Sequence, residues 1–241
     1  MSQDKFQWTI THCTVADAPA LAHNNMSAFW TDPSWRLLWP KDIELSYLID
    51  QCSLRYPRSL SQNRQTMRHQ KAIDPTTGEV VGYARWVLPE GLDQNAAGRE
   101  GVAWPDAQVP RIPQEEEKEF EKRALSAWWS PRTDMGAMDD QIHAIADRHV
   151  RGKVYIELDY LAVHPSRKGQ GIATALVRSG LAFADSIGVP VQTIAFHAAR
   201  GIYDRLGFKE VDRVVQRLDP YGGQGEYTTY FMVREVCGAA I

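Results

Sequence analysis

The stretch Leu158-Asp-Tyr-Leu-Ala-Val-His-Pro-Ser-Arg-Lys-Gly-Gln-Gly-Ile-Ala-Thr174 decides the fold. An apolar strand runs into Val163-His164-Pro165. A short basic, glycine-rich turn follows, and a helix opens at Gly171. Backbone amides in such a turn and in the first helical turn have no intrahelical acceptor. They converge on one point, which the helix dipole makes favourable for an anion. Gly169 and Gly171 carry no Cβ, so a bulky diphosphate can approach the backbone. Arg167 and Lys168 add positive charge at the rim. Two other phosphate-binding patterns are excluded. The chain has no Gly-x-x-x-x-Gly-Lys-Ser/Thr. Gly169-Gln-Gly171 also lacks the third glycine of a dinucleotide fingerprint, and its strand ends in Val-His-Pro.

A second motif follows, Tyr203-Asp-Arg-Leu-Gly207-Phe208. Together with Val163-x-Pro165-x-x-Lys168-Gly169-Gln170-Gly171-Ile172-Ala173, it resembles the GNAT superfamily of N-acetyltransferases. The pyrophosphate signature of that family is Arg/Gln-x-x-Gly-x-Gly/Ala. Lys168 stands at its first position, Gly171 at its glycine and Ala173 at its small residue. The Tyr-x-x-x-Gly-Phe of the family matches the second motif. The two cover about residues 153–210, and the ordered pair is far more specific than either alone. Where the family often has an asparagine touching pantetheine, this chain has Phe196. The resemblance implies an α/β (α+β) fold. Its mixed, mostly antiparallel central sheet would be splayed at the CoA site and flanked by helices.

The rest of the chain fits one such domain. With 241 residues, 44% of them hydrophobic, it can bury a sizeable core. A net charge of −3 gives no reason to expect nucleic acid or an anionic membrane as partner. The first residues hold no apolar signal run, and no stretch nears the roughly 18 apolar residues of a membrane span. Three scattered cysteines argue for reduced thiols and a cytoplasmic location. Neither they nor the seven dispersed histidines have metal-ligand spacing, so no metal is expected. The expected assembly is a monomer or homodimer.

Strands are expected over 7–15, 64–73, 80–88, 154–163, 191–196, 208–218 and 226–234, with Asp74-Pro-Thr-Thr-Gly78-Glu as a hairpin turn. Helices are expected over 17–29, 42–55, 171–187 and 199–206. Residues 89–150 change character. Proline and glycine give way to charged helical stretches over 114–129 and 139–150, and the stretch reads as an insertion between the third and fourth strands. It would be either a wall over the acceptor site or a solvated decoration.

The resemblance also implies the chemistry. The amine attacks the thioester of acetyl-CoA directly, with no acyl-enzyme, and no cysteine lies in either motif. Leu161, Ala162 and Val163 would pair with pantetheine as an added strand does. Backbone groups of Lys168, Gly169, Gln170, Gly171, Ile172, Ala173 and Thr174 would hold the pyrophosphate. Tyr203 would protonate the leaving thiolate or else only pack on pantetheine. Tyr155, Glu157 and Asp159 share one strand face by period two. Glu157 stands at the family's base position, with Asp159 second and His197 third. Each carboxylate could instead pair with a neighbouring cation. Phe29, Trp30, Trp35, Trp39 and Trp86 either line a pocket for an apolar amine or, as the favoured reading has it, mostly belong to the core. The expected acceptor is a small-molecule primary amine. A protein lysine or N-terminus, and a non-catalytic acyl-CoA-binding module, are the alternatives.

Overall fold

A computed structural model describes residues 8–92 and 103–236. Seven strands form one sheet in the order β1-β2-β3-β4-β5-β7-β6. They are β1 (Thr9–His12), β2 (Met67–Ile73), β3 (Val80–Val87), β4 (Ile156–Val163), β5 (Val191–Phe196), β6 (Lys209–Arg217) and β7 (Glu226–Arg234). All neighbours run antiparallel except β4 and β5. The helices are α1 (Ala18–Phe29), α2 (Pro33–Leu37), α3 (Leu45–Ser61), α4 (Gln114–Ser126), α5 (Gly136–Val150), α6 (Ile172–Ile187) and α7 (His197–Arg205). The mixed, mostly antiparallel sheet is the one expected. Helix α2 was not foreseen; Asp32-Pro33 reads as a chain break in sequence. Instead Asp32 caps the helix, its Oδ1 accepting from the amides of Ser34 and Trp35 at 3.0 and 2.8 Å. Residues 1–7, 93–102 and Cys237 lie outside the described residues.

Strand alternation sorts the two faces of the sheet. On β3, Ala84 and Trp86 join the core under α6, whereas Tyr83 joins a second core under α1 and α3. Helix α6 sits close to the sheet because small residues alternate with large ones along the contact. A Cβ on Gly180 would stand 2.1 Å from the Trp86 ring, and one on Gly82 would stand 2.6 Å from Ile172. Neither glycine has room for a side chain. Trp86 is fully buried on this face, against Trp104.

The decisive irregularity is in β4. Arg85 pairs with Tyr160, but Trp86 pairs with Leu158, so Asp159 is an extra residue. This bulge breaks the period of two. The β4–β5 ladder covers only Ile156–Leu158 against Val191–Thr193. Beyond it the strands part, which opens the sheet at Leu161, Ala162 and Val163.

Candidate active site

The opening between β4 and β5 is a cleft of about 910 Å3. Of the residues expected at the site, Leu161 to Val163, Lys168, Gly169, Gly171 to Thr174, Asp159 and Tyr203 line it. Gln170 and Glu157 are outside that lining. The cleft has the glycine turn at one end and α2 at the other.

At the first end, Pro165–Arg167 form a single 3-10 turn, and Gly171 is the N-cap of α6. Gly169 and Gly171 both have φ of +81°, a region glycine adopts without strain. A Cβ at either would meet nothing within 4 Å. Backbone conformation therefore demands these glycines, and the space in front of them is open. The loop is fastened from outside. The Trp8 indole donates to the Gln170 carbonyl at 3.0 Å. Arg167 is paired with Asp74 and Glu79 of the β2–β3 turn, at 3.2 and 3.1 Å. Its charge is thus largely neutralised, while Lys168 is exposed at the rim. Asn24 of α1 holds the end of β4, donating to the Ala162 carbonyl at 3.3 Å and accepting from the His164 amide at 2.9 Å.

Tyr203 projects from α7 and is only 3% exposed. Thr193 donates its hydroxyl proton to the Leu158 carbonyl at 2.8 Å. The phenol lies beside Thr193, whose influence lowers its pKa against the larger effect of burial. Leu158 and Thr193 are the last pair of the β4–β5 ladder. Burial pushes the phenol pKa up to about 12, so Tyr203 carries its proton at neutral pH.

The strand carboxylates differ. Asp159 accepts from Arg85 Nε at 3.0 and 2.9 Å, and Arg85 Nη2 lies 2.7 Å from Oδ2. This fork commits the Asp159 charge to a cation. Glu157 has its pKa raised by burial and by Asp159, with Arg85 opposing. It stands back from the cleft. His197 does line the cleft, at the start of α7.

The opposite end holds Phe29, Asp32, Phe196 and Tyr227. Tyr227 donates to Asp32 Oδ2 at 2.7 Å across 195 residues of sequence. Burial and the Asp32 charge raise the Tyr227 pKa far above the ordinary phenol value. Sequence reading missed this pair, because neither residue lies in a motif. Most tryptophans are core, as the favoured reading held. Trp30, Trp35, Trp39, Trp128 and Trp129 pack in one cluster, and Trp86 faces the other side of the sheet. The described cysteines, Cys13 and Cys52, are buried, and burial raises the thiol of each, Cys52 to about 12. Neither lines the cleft. Among the described residues no group of three or more His, Cys, Asp or Glu is placed to hold a metal.

Residues 136–210 match the family model of the acetyltransferase (GNAT) domain. Curated proteins give no match. Solved structures of similar fold include the histone acetyltransferase HPA2 and related acetyltransferase from Corynebacterium glutamicum ATCC 13032. It is 18% identical with a TM-score of 0.56, over 97% of this chain and 99% of that one. Arylalkylamine N-acetyltransferase 2 from Aedes aegypti is 13% identical with a TM-score of 0.53, over 95% and 99%. The C-terminal condensation domain of Ebony in complex with beta-alanyl-dopamine is 10% identical with a TM-score of 0.61, over 96% and 100%. The matched segment contains both the glycine turn and the Tyr203 motif, and the split sheet that carries them has the fold of these acetyltransferase structures.

Proposed function

We propose that the protein transfers an acetyl group from acetyl-CoA directly to a primary amine of a small molecule. The observation that carries this reading is the through-sheet cleft. It has unpaired helix-opening amides at one end, a protonated buried phenol at the splay, and an anionic aromatic end beyond. The diphosphate would rest on amides from Lys168 to Thr174, and the pantetheine arm would lie along Leu161 to Val163. The amine nitrogen attacks the thioester carbon. The C–N bond forms, the C–S bond breaks, and the thiolate takes a proton for which Tyr203 is the donor. The ammonium must lose one proton before attack, and the tetrahedral adduct another. Glu157 is the proposed acceptor, acting through water because it stands back from the cleft. Asp159 is second, weakened in that role by Arg85. His197 is third.

Similar folds include an arylalkylamine N-acetyltransferase and a domain bound to beta-alanyl-dopamine, which favours a small acceptor. The histone acetyltransferase among them keeps a protein acceptor as the second reading. We read residues 89–150 as an insertion in a single domain. Its α4 packs beside α3, and α5 lies along β6, bordering the acceptor end. No described helix is long and apolar enough to cross a membrane; we propose a cytoplasmic enzyme, as monomer or homodimer. The test is the full chain with acetyl-CoA and a panel of small amines and lysine peptides, followed by free thiol release. Thiol release dependent on a small amine is expected. Release with peptides alone would transfer the reading to a protein acceptor.

A further inference from the structure

Asn24 and Asn25 stand inside α1 and are 1% and 0% exposed. Asparagine is a poor residue for a helix interior, and a buried carboxamide needs partners. Asn24 finds its partners beyond its own turn of helix. Its Oδ1 accepts from the His164 amide at 2.9 Å, and its Nδ2 donates to the Ala162 carbonyl at 3.3 Å. The same Nδ2 donates to Asn25 Oδ1 at 2.8 Å, and Asn25 Nδ2 donates to the Tyr56 hydroxyl of α3. The Asn24 carboxamide is thus held in one orientation from behind, and its front grips the end of β4.

Strand parity shows what this grip does. His164 also donates to the Val81 carbonyl beside β3, but at 3.4 Å. The β3 ladder is fading there, and Asn24 holds the shorter bond. In an antiparallel ladder, bonded and non-bonded pairs alternate. With His164 bonded to Val81, Ala162 is the next bonded residue, opposite Tyr83. Leu161 and Val163 fall in the non-bonded pairs, opposite Ala84 and Gly82. Their N–H and C=O groups therefore point away from β3 and toward the splay, where the β4–β5 ladder has already ended at Leu158. Asn24 holds the two residues that alternate with this free edge.

We propose that Asn24 is a positioning residue for CoA. Its carboxamide takes over from β3 at the end of β4 and fixes the peptide planes there. The Leu161 and Val163 backbone groups are thereby aimed at the amides of the pantetheine arm. The proposal rests on the reading that pantetheine lies along this strand. The pyrophosphate turn is fastened separately, by Trp8 on Gln170 and by Arg167 on Asp74 and Glu79. Loss of Asn24 is therefore felt by the pantetheine arm and not by the diphosphate.

Two ligands separate these effects. CoA and 3′-phospho-ADP, which keeps the phosphates and lacks the pantetheine arm, are titrated calorimetrically into the full chain, with thermal melting of the same samples. The parent should prefer CoA. Asn24→Ala leaves the His164 amide its bond to Val81, so β4 should still form. Its preference for CoA should fall roughly tenfold, with 3′-phospho-ADP affinity kept within about twofold, as for one lost hydrogen bond to the arm. Asn25→Ala keeps Asn24 but frees its carboxamide to turn, and should lower the preference roughly threefold. That variant carries the test alone if Asn24→Ala does not fold. Met26→Ala, in the same helix but packed in the tryptophan cluster, should melt lower and keep the parent's preference. Equal weakening of both ligands in the asparagine variants would make Asn24 a structural anchor only, and would overturn the proposal. So would a preference unchanged in them. A parent with no preference for CoA would remove the pantetheine reading and this proposal with it. The expected preferences without acetyl-CoA-dependent thiol release would sink the acetyl-transfer reading alone.

Discussion

Tyr203→Phe removes one oxygen from a side chain that is 3% exposed and keeps the ring against Phe208, whose centroid lies 5.3 Å away. The lost group lies beside Thr193. Thr193 keeps its own proton on the Leu158 carbonyl, so no donor is stranded by the change. The expected loss of stability is that of one net hydrogen bond, about 1 kcal/mol. For a chain of this size that is roughly 2–4 °C in melting temperature. Turnover should fall far more. If the phenol protonates the departing thiolate, kcat drops by roughly 10- to 1000-fold while acetyl-CoA affinity stays near the parent value. The assay is thiol release under saturating amine, with calorimetric acetyl-CoA affinity and thermal melting on the same sample. The pKa adds a second reading. With the phenol held protonated up to about pH 12, the parent should show no loss of kcat from Tyr203 ionisation between pH 8 and roughly 10. Unchanged kcat in the variant refutes the acid role. A fall in affinity that matches the fall in kcat makes the hydroxyl a ground-state contact with CoA instead.

Gly171→Glu should abolish acetyl-CoA binding in calorimetry, through strain at a φ of +81° and a negative charge at the open phosphate end, not through crowding. Lys168→Ala, at an exposed and screened position, should weaken the same binding by about 1 kcal/mol at most; a loss of several would make side-chain charge the main anchor. Glu157→Gln should lower turnover most near neutral pH and recover partly as pH rises, because more of the acceptor is then free amine; a pH–rate profile superimposable on the parent's removes Glu157 as base. His69, 1% exposed and bonded through Nδ1 to the Tyr83 hydroxyl at 2.8 Å, has its pKa lowered from 6.5 to about 3 by burial and by Arg85 and Arg68. The fold therefore favours the neutral ring. Its contribution is complete above pH 6.5 and declines as pH falls toward 3, by about 1.4 kcal/mol per unit. Denaturation of His69→Gln between pH 7 and 4 should show a shallower slope than the parent; equal slopes would place the acid sensitivity elsewhere.

The local features were readable from sequence because their causes are local. Gly169 and Gly171 are spaced for a turn that needs positive φ, and the apolar run before them is a strand. Tyr203 lies five positions before Phe208 in a short amphipathic helix, and the structure brings it to the same cleft as the turn. Each of these depends on neighbours a few residues away, where periodicity and backbone preference act. Period two put Glu157 and Asp159 on one face. It could not show the bulge, because an extra residue in β4 is defined only against β3. Nor could it show that Arg85 is the cation holding Asp159, while Glu157 stands back from the cleft.

Tertiary structure alone decided the Asp32–Tyr227 end of the cleft. Trp86 and Trp35 are equally aromatic in sequence. One is pinned against Gly180 under α6, and the other packs against Trp39 in the cluster with α1 and α3, because the elements that carry them meet different parts of the fold. Asp32 and Tyr227 meet across 195 residues, and Gln216 reaches the Met138 carbonyl and Gln141 only because β6 and α5 close together. Backbone preference reaches a few residues along a chain, whereas burial and the pairing of distant polar groups exist only once the whole sheet has folded.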